Sequence, residues 1–193
     1  MFVGVHQQKH ISDYYKVWVN QGNVTVVGYV SRESTMELAQ MWSAPFEGDS
    51  AGNGSKVAAF GQDQTGQTSV AKWNSNLIWD GAEALKFPLK IHFLAYSDAK
   101  LEVDDPVRYL SQFSSPELSN SLAFGQRPEP VSLNIGKRII IPSTEKGGCF
   151  IHNVGFDYNA PITTTGYFAE NTVDLVVSTD STLSRSEIPS IFN

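Results

Sequence analysis

Residues 87–95 alternate strictly, with Phe87, Leu89, Ile91, Phe93 and Ala95 set against Pro88, Lys90, His92, Leu94 and Tyr96. This is the period-two pattern of a strand with one buried face, and Pro88 marks its start or an edge. After Ser97-Asp98 the run Asp104-Asp105-Pro106 offers a carboxylate N-cap and a proline at the first helical position. A short helix over about 105–113 is expected, with Val107, Leu110 and Ser111 on one face and its end before Ser114-Ser115-Pro116. No other stretch sets strand and helix signals side by side, so 79–113 is the centre of the predicted fold.

Strand patterns recur on both sides. Tyr15, Val17 and Val19, then Gln21-Gly22-Asn23, then Val24, Val26, Gly28 and Val30 read as a β-hairpin. The leading segment 1–5 is either a further short strand or an arm for a neighbour. Val131, Leu133 and Ile135 alternate, Gly136-Lys137 turns or bulges the chain, and Ile139-Ile140-Ile141 follows as one kinked strand or a pair. A turn is expected over 143–148. Phe150, His152, Val154, Phe156 and Tyr158 alternate as another strand, and Val173, Leu175 and Val177 as the last.

Two segments break the pattern. Ser34 with Glu37 fits a capping box, so 34–42 is expected to make one or two helical turns, with Met36, Leu38, Met41 and Trp42 packed in the core. Residues 47–72 are rich in Gly, Ser, Gln, Asn, Asp and Thr and are read as a long polar loop. Trp73 and Trp79, which flank its exit, serve either core packing or a sugar-stacking platform.

The order is hairpin, loop, strand, helix, strands, without βαβ alternation or a repeat. The fold class that follows is mainly β (α+β): an antiparallel β-sandwich or barrel-like domain with one short flanking helix. At 193 residues a single domain over 1–193 is expected. Its tail, about 179–193, is polar until Ile188-Pro189-Ser190-Ile191-Phe192 and reads as a docking peptide for a neighbour.

Charge and composition narrow the function. Charged residues are 18% of the chain and the net charge is −6. That balance argues against gripping nucleic acid through phosphate contacts, and few charges leave more surface to be covered by other subunits. Cys149 is the single cysteine, so there is no intramolecular disulfide and no zinc-type Cys/His spacing. No signal-peptide pattern is expected at 1–20, and no apolar run approaches a membrane span.

The search for catalytic chemistry finds no set. Asp49, Asn53 and Asp63 lack calcium-loop spacing, and His6 and His10 lack the intervening Glu of a zinc-protease helix. His92 and His152 fall on strands as ordinary exposed or satisfied histidines, and Cys149 reads as a small buried hydrophobe. Glu102, Asp104 and Asp105 are explained by a helix start. No phosphate loop, dinucleotide fingerprint or nucleophile elbow occurs. No catalytic, cofactor or metal residue is therefore assigned, and the chain is read as a non-enzyme.

One resemblance adds to this. Trp79-Asp80-Gly81, the alternating strand 87–95, Glu102-Val103, the helix 106–113 opened by Pro106, and Ser115-Pro116 resemble virion proteins of contractile-tailed bacteriophages that share the tail-tube fold. Trp42-Ser43-Ala44-Pro45-Phe46, Pro130-Val131, Ile135-Gly136, and the strand 149–158 followed by Pro161 fit the same plan. The resemblance covers about two thirds of the chain. It implies a structural subunit of a ring, hexameric in that family, in the tail tube or at the baseplate as a tube initiator. It also implies sheet-edge and loop contacts to its own copies and to adjacent tube or baseplate proteins, and residence in the virion after assembly in the host cytoplasm. DNA would then be a transient passenger in a channel whose acidic wall repels it, and no membrane is involved. A carbohydrate-binding β-sandwich using Trp73 and Trp79, with Tyr14 and Tyr15 nearby, is the alternative.

Overall fold

A computed structural model describes residues 1–43, 77–118, 125–143 and 147–193. The predicted loop 47–72, Trp73 and the Pro45-Phe46 pair lie outside them. Chain contacts divide the molecule into two compact units, Met1–Leu38 with Ala84–Asn193, and Ala39–Glu83.

In the first unit, strands β1 (Phe2–Gly4), β2 (Lys16–Gln21), β3 (Val24–Val30), β6 (Lys86–Leu94), β7 (Ser132–Ile135), β8 (Ile139–Ile141), β9 (Cys149–Phe156) and β10 (Glu170–Thr179) form one eight-stranded sheet. Its path runs β8-β7-β2-β3-β6-β10-β9, antiparallel throughout, with β1 added parallel to β3. Val131 and Cys149 exchange two backbone hydrogen bonds, of 2.7 and 2.9 Å. That bridge joins the β7 end of the path to the β9 end, so the sheet curls into a half-barrel. Among the described residues the fold is mainly antiparallel β with one short α-helix, as the sequence pattern predicts.

The centre of the pattern is where it was expected. Phe87, Leu89, Ile91 and Phe93 are buried, and β6 pairs along its length with β10, whose Val173, Leu175 and Val177 are buried as well. Helix α1 (Asp105–Ser114) puts Val107, Leu110 and Phe113 into the same cluster. Each such side chain contributes about 1.5–3 kcal/mol when taken out of water. Pro88 does not mark an outer edge, since β10 covers one side of β6. On its other side β3 pairs only at Tyr29 and Val30, and at Pro88 an irregular segment takes over, with the Thr35 N–H donating to the Pro88 carbonyl. A missing N–H is tolerated there because no regular strand needs it.

That irregular segment overturns the helix expected at 34–42. Ser34 Oγ accepts from Lys90 N at 3.0 Å instead of capping a helix, and Glu37 and Lys86 exchange backbone bonds as an antiparallel bridge. β6 offers backbone partners that an isolated helix of one or two turns cannot outbid. Met36, Leu38, Met41 and Trp42 are consequently exposed rather than in the core.

The turns follow their residues. β2 and β3 join through Gly22-Asn23 with only Gly22 at positive φ (54°), the pattern of a II′ hairpin turn. Between β7 and β8 both Gly136 (57°) and Lys137 (56°) are left-handed, and Arg138 N donates to Ile135 O at 2.9 Å. A Cβ on Gly136 would sit 2.5 Å from the Tyr14 carbonyl oxygen, so no other residue fits. The leading segment is a strand of this chain, with Val3 and Val5 fully buried.

Two further points qualify the pattern. β9 turns Cys149 and Ile151 inward, and past a register shift opposite Val176/Val177 it turns Val154 onto the core, so the alternation expected from Phe150 is met only beyond that shift. The bridge to Val131 fixes Cys149 in the core and sets that phase. The helix cap also moves. Asp104 makes no side-chain cap bond, and a π-type turn (Lys100–Asp104) leads into α1. Asp98 caps that turn, its Oδ1 accepting from Lys100 N at 3.0 Å and Leu101 N at 3.2 Å. Asp105 is buried beside Arg108, 2.9 Å away. Asp98→Ala should therefore cost about 0.5–2 kcal/mol in thermal denaturation, the role first expected at Asp105; an unchanged melting temperature would count against the reassigned cap.

Candidate assembly surfaces

Each of the four histidines has a neighbour in the structure. His92 Nδ1 lies 3.0 Å from Thr172 Oγ1, and His152 Nε2 lies 2.6 Å from Ser178 Oγ, toward opposite ends of β10. His6 stacks on Phe2 and His10 tilts against Tyr96. Among the described residues no group of three His, Cys, Asp or Glu side chains is placed to hold a metal ion. No helix among them is long and apolar enough to cross a membrane.

Cys149 is buried, and desolvation pushes its thiol from 9.0 up to about 12. At pH 8 the folded chain then holds about a thousandfold less thiolate than the unfolded one. A disulfide reagent should label Cys149 only as fast as the protein opens, while denatured protein reacts at once. Because the folded state keeps its proton longer, this group's stabilisation is complete below pH 9 and is lost as pH rises toward about 12. Rapid native-state labelling would contradict the burial.

One buried polar chain was not legible beforehand. Lys16, only 3% exposed, donates to the Gln8 carbonyl at 3.0 Å and to Asp13 Oδ1 at 3.3 Å. Lys137 donates to the other Asp13 oxygen at 2.7 Å. The hydrogen bonds from Lys137 and then Lys16 hold the Asp13 carboxyl below its usual range. Gln8 receives the Tyr29 hydroxyl at 2.6 Å and donates to the Leu94 carbonyl at 3.0 Å. Burial, with the charge of Glu102 second, raises the Tyr29 phenol. These bonds tie the first fifteen residues to β2, β3 and β6.

What the structure does present is exposed apolar surface. The second unit contains an antiparallel ribbon, β4 (Gln40–Ser43) with β5 (Ile78–Ala82). Trp42 and Trp79 are direct cross-strand partners, so both side chains lie on one face. They are 57% and 55% exposed, and Met41, Leu77 and Ile78 are exposed with them. The Trp79 indole N–H donates to Gln40 Oε1 at 3.0 Å, which fixes the ring without covering it. Core packing, the use first favoured for these aromatics, does not describe Trp42 or Trp79.

The first unit adds a sheet edge that is only partly paired among the described residues. β9 pairs with β10 on one side, and on the other its only pairing among the described residues is the bridge at Cys149. The opposite end of the path is blunted by the chain's own tail. Phe192 bridges Ile139, Asn193 N donates to the Arg138 carbonyl at 2.9 Å, and Ile191 is buried in the core. The apolar terminus thus docks on its own β8 rather than being held out for a neighbour, with Phe192 left half exposed.

The two Trp side chains of the ribbon are exposed, and β9 is paired along its full length on one side alone among the described residues. Neither a protein-family model nor a curated protein sequence matches the chain.

Proposed function

We propose that this chain is a structural virion protein, a subunit of a closed ring in a contractile phage tail tube or baseplate. Copies associate through a sheet edge and through the segment that carries the β4–β5 ribbon, and adjacent tube or baseplate proteins cover the rest. DNA passes through the channel without being a ligand. The observation that carries this reading is the exposed Trp42/Trp79 pair on a two-stranded ribbon. Such a ribbon is at best marginally stable alone in water, and large apolar side chains clustered in the open mark surfaces for another protein. The unpaired side of β9 supports the same reading, because ring closure is one way to remove an edge that would otherwise aggregate.

The test is to replace Trp42 and Trp79 together by Glu and to compare sedimentation of the wild type and the variant. The wild type should sediment as a ring-sized oligomer, alone or with tube proteins, and the variant as a monomer with an unchanged circular dichroism spectrum. Oligomers of equal size in both would remove the ribbon from the interface.

The alternative reading, a carbohydrate-binding module, draws on the exposure of Trp79; its second residue, Trp73, lies outside the described residues. Glycan binding lost in Trp79→Ala without loss of folding would favour it.

A further inference from the structure

We infer that the outer face of β2, β7 and β8 carries a binding cleft for a neutral sugar ring, centred on Trp18. The placement follows from strand alternation. Val17, Val19 and Leu133 are buried in the core, so Trp18, Asn20, Ser132 and Asn134 project from the opposite face of the same strands. Register sets them side by side: Trp18 is the direct partner of Asn134, Asn20 of Ser132, and Asn134 of Ile140. They bound a cleft of about 460 Å3, within the size range of small-ligand sites.

The lining selects the ligand. It combines one half-buried indole, two amides, hydroxyls and aliphatic walls, and no ionisable side chain among the described residues. A charged ligand has no counter-charge in the cleft, and a purely apolar one would strand the amides. A pyranose ring, with an apolar C–H face for the indole and hydroxyls at its rim, meets both demands.

The polar groups are also oriented. Asn20 spends its Nδ2 on the Val24 carbonyl at 3.1 Å and Thr25 Oγ1 at 2.8 Å, which leaves Oδ1 as an acceptor. Asn134 spends its Oδ1 on Lys137 N at 3.0 Å, which leaves Nδ2 as a two-proton donor. The Trp18 indole N–H and the Ser132 hydroxyl have no partner among the described residues. The cleft therefore offers a fixed acceptor and fixed donors next to a stacking surface, an arrangement suited to adjacent hydroxyls on one ring. This site is separate from Trp79 and does not depend on the ring-subunit reading.

The test is a heteronuclear NMR titration of the full chain with glucose, galactose, N-acetylglucosamine and their β-linked disaccharides. At least one sugar should shift the Trp18 indole and Asn134 side-chain amide resonances saturably, at millimolar affinity, while the Trp79 indole stays still. Asn134→Asp keeps the acceptor that holds the β7–β8 turn but removes the donor, and should weaken binding about five- to tenfold. Trp18→Phe, which keeps a stacking ring but loses the N–H, should weaken it less than complete loss of the aromatic in Trp18→Ala. No saturable shift at these two resonances up to about 50 mM sugar, a range that covers weak binding, would overturn the inference. So would shifts confined to Trp79, equal affinity in Asn134→Asp, or concentration-dependent broadening of the cleft resonances without sugar, which would mark the face as an interface between copies.

Discussion

Replacing Phe93 by Asp is expected to leave no folded protein. The side chain is fully buried, on the central strand β6, and it belongs to the cluster shared by β10, β3 and α1. Truncating a core phenylalanine already costs about 3–5 kcal/mol, and a carboxyl without a partner in that site adds several more. A domain of ordinary stability, about 5–15 kcal/mol, has little left after both. Far-ultraviolet circular dichroism and a thermal melt decide it. Loss of the cooperative transition is the expected result, and a soluble variant that melts cooperatively would mean that the buried face of β6 is assigned the wrong way round. His92, the half-buried neighbour that points the other way, is the control: His92→Asp loses the contact with Thr172 Oγ1 and should cost about 0.5–3 kcal/mol, the usual range for point substitutions, while still melting cooperatively.

Glu102→Gln is expected to destabilise the fold by several times the usual cost of a conservative surface change. The carboxylate is 2% exposed and gathers the turn between β6 and α1 onto itself. It accepts from Ser97 N at 2.9 Å, Asp98 N at 3.3 Å and Ser97 Oγ at 3.2 Å, and also from Tyr96 N. All three backbone N–H groups converge on Oε2, so a glutamine can keep them on its amide oxygen while its NH2 group faces Ser97 Oγ; what is lost is the charge of the acceptor. Hydrogen bonds to a charged group contribute about 1.5–3 kcal/mol each and neutral ones about 0.5–1.5, so the weakening of the converging bonds makes the loss. A decrease of about 2–4 kcal/mol in urea denaturation, with an unchanged slope, is expected. The Tyr29 phenol should also titrate lower, because the Glu102 charge is the second cause of its upward shift after burial. Stability within about 0.5 kcal/mol of wild type would mean that the turn holds by other contacts.

These two residues show how far the sequence could be read. Phe93 was legible because five alternating apolar positions leave one consistent inward face, and the same holds for Val173, Leu175 and Val177. Glu102 was legible only as a negative charge near a helix start. Its role depends on the chain doubling back at Ser97-Asp98, and the signal that carries this is Asp98, a capping residue four positions before Glu102, which the Asp-Asp-Pro run downstream obscured. At 34–42 a fair helix pattern lost to long-range pairing with β6, which no local window contains. In β9 two alternations were available, and the bridge from Val131 to Cys149 chose the one with fewer aromatic residues inside. The exposure of Trp42 and Trp79 could not be read at all, since large apolar residues are buried more often than not.

The functional account rests on association, and so its decisive observation is of assembled material. Negative-stain electron microscopy of the purified chain, alone and mixed with neighbouring tube or baseplate proteins, is the most direct measurement. Closed rings of uniform diameter with a central channel, or tubes built from them, are the expected result. A monodisperse monomer that joins neither rings nor tubes under any of these conditions would contradict it.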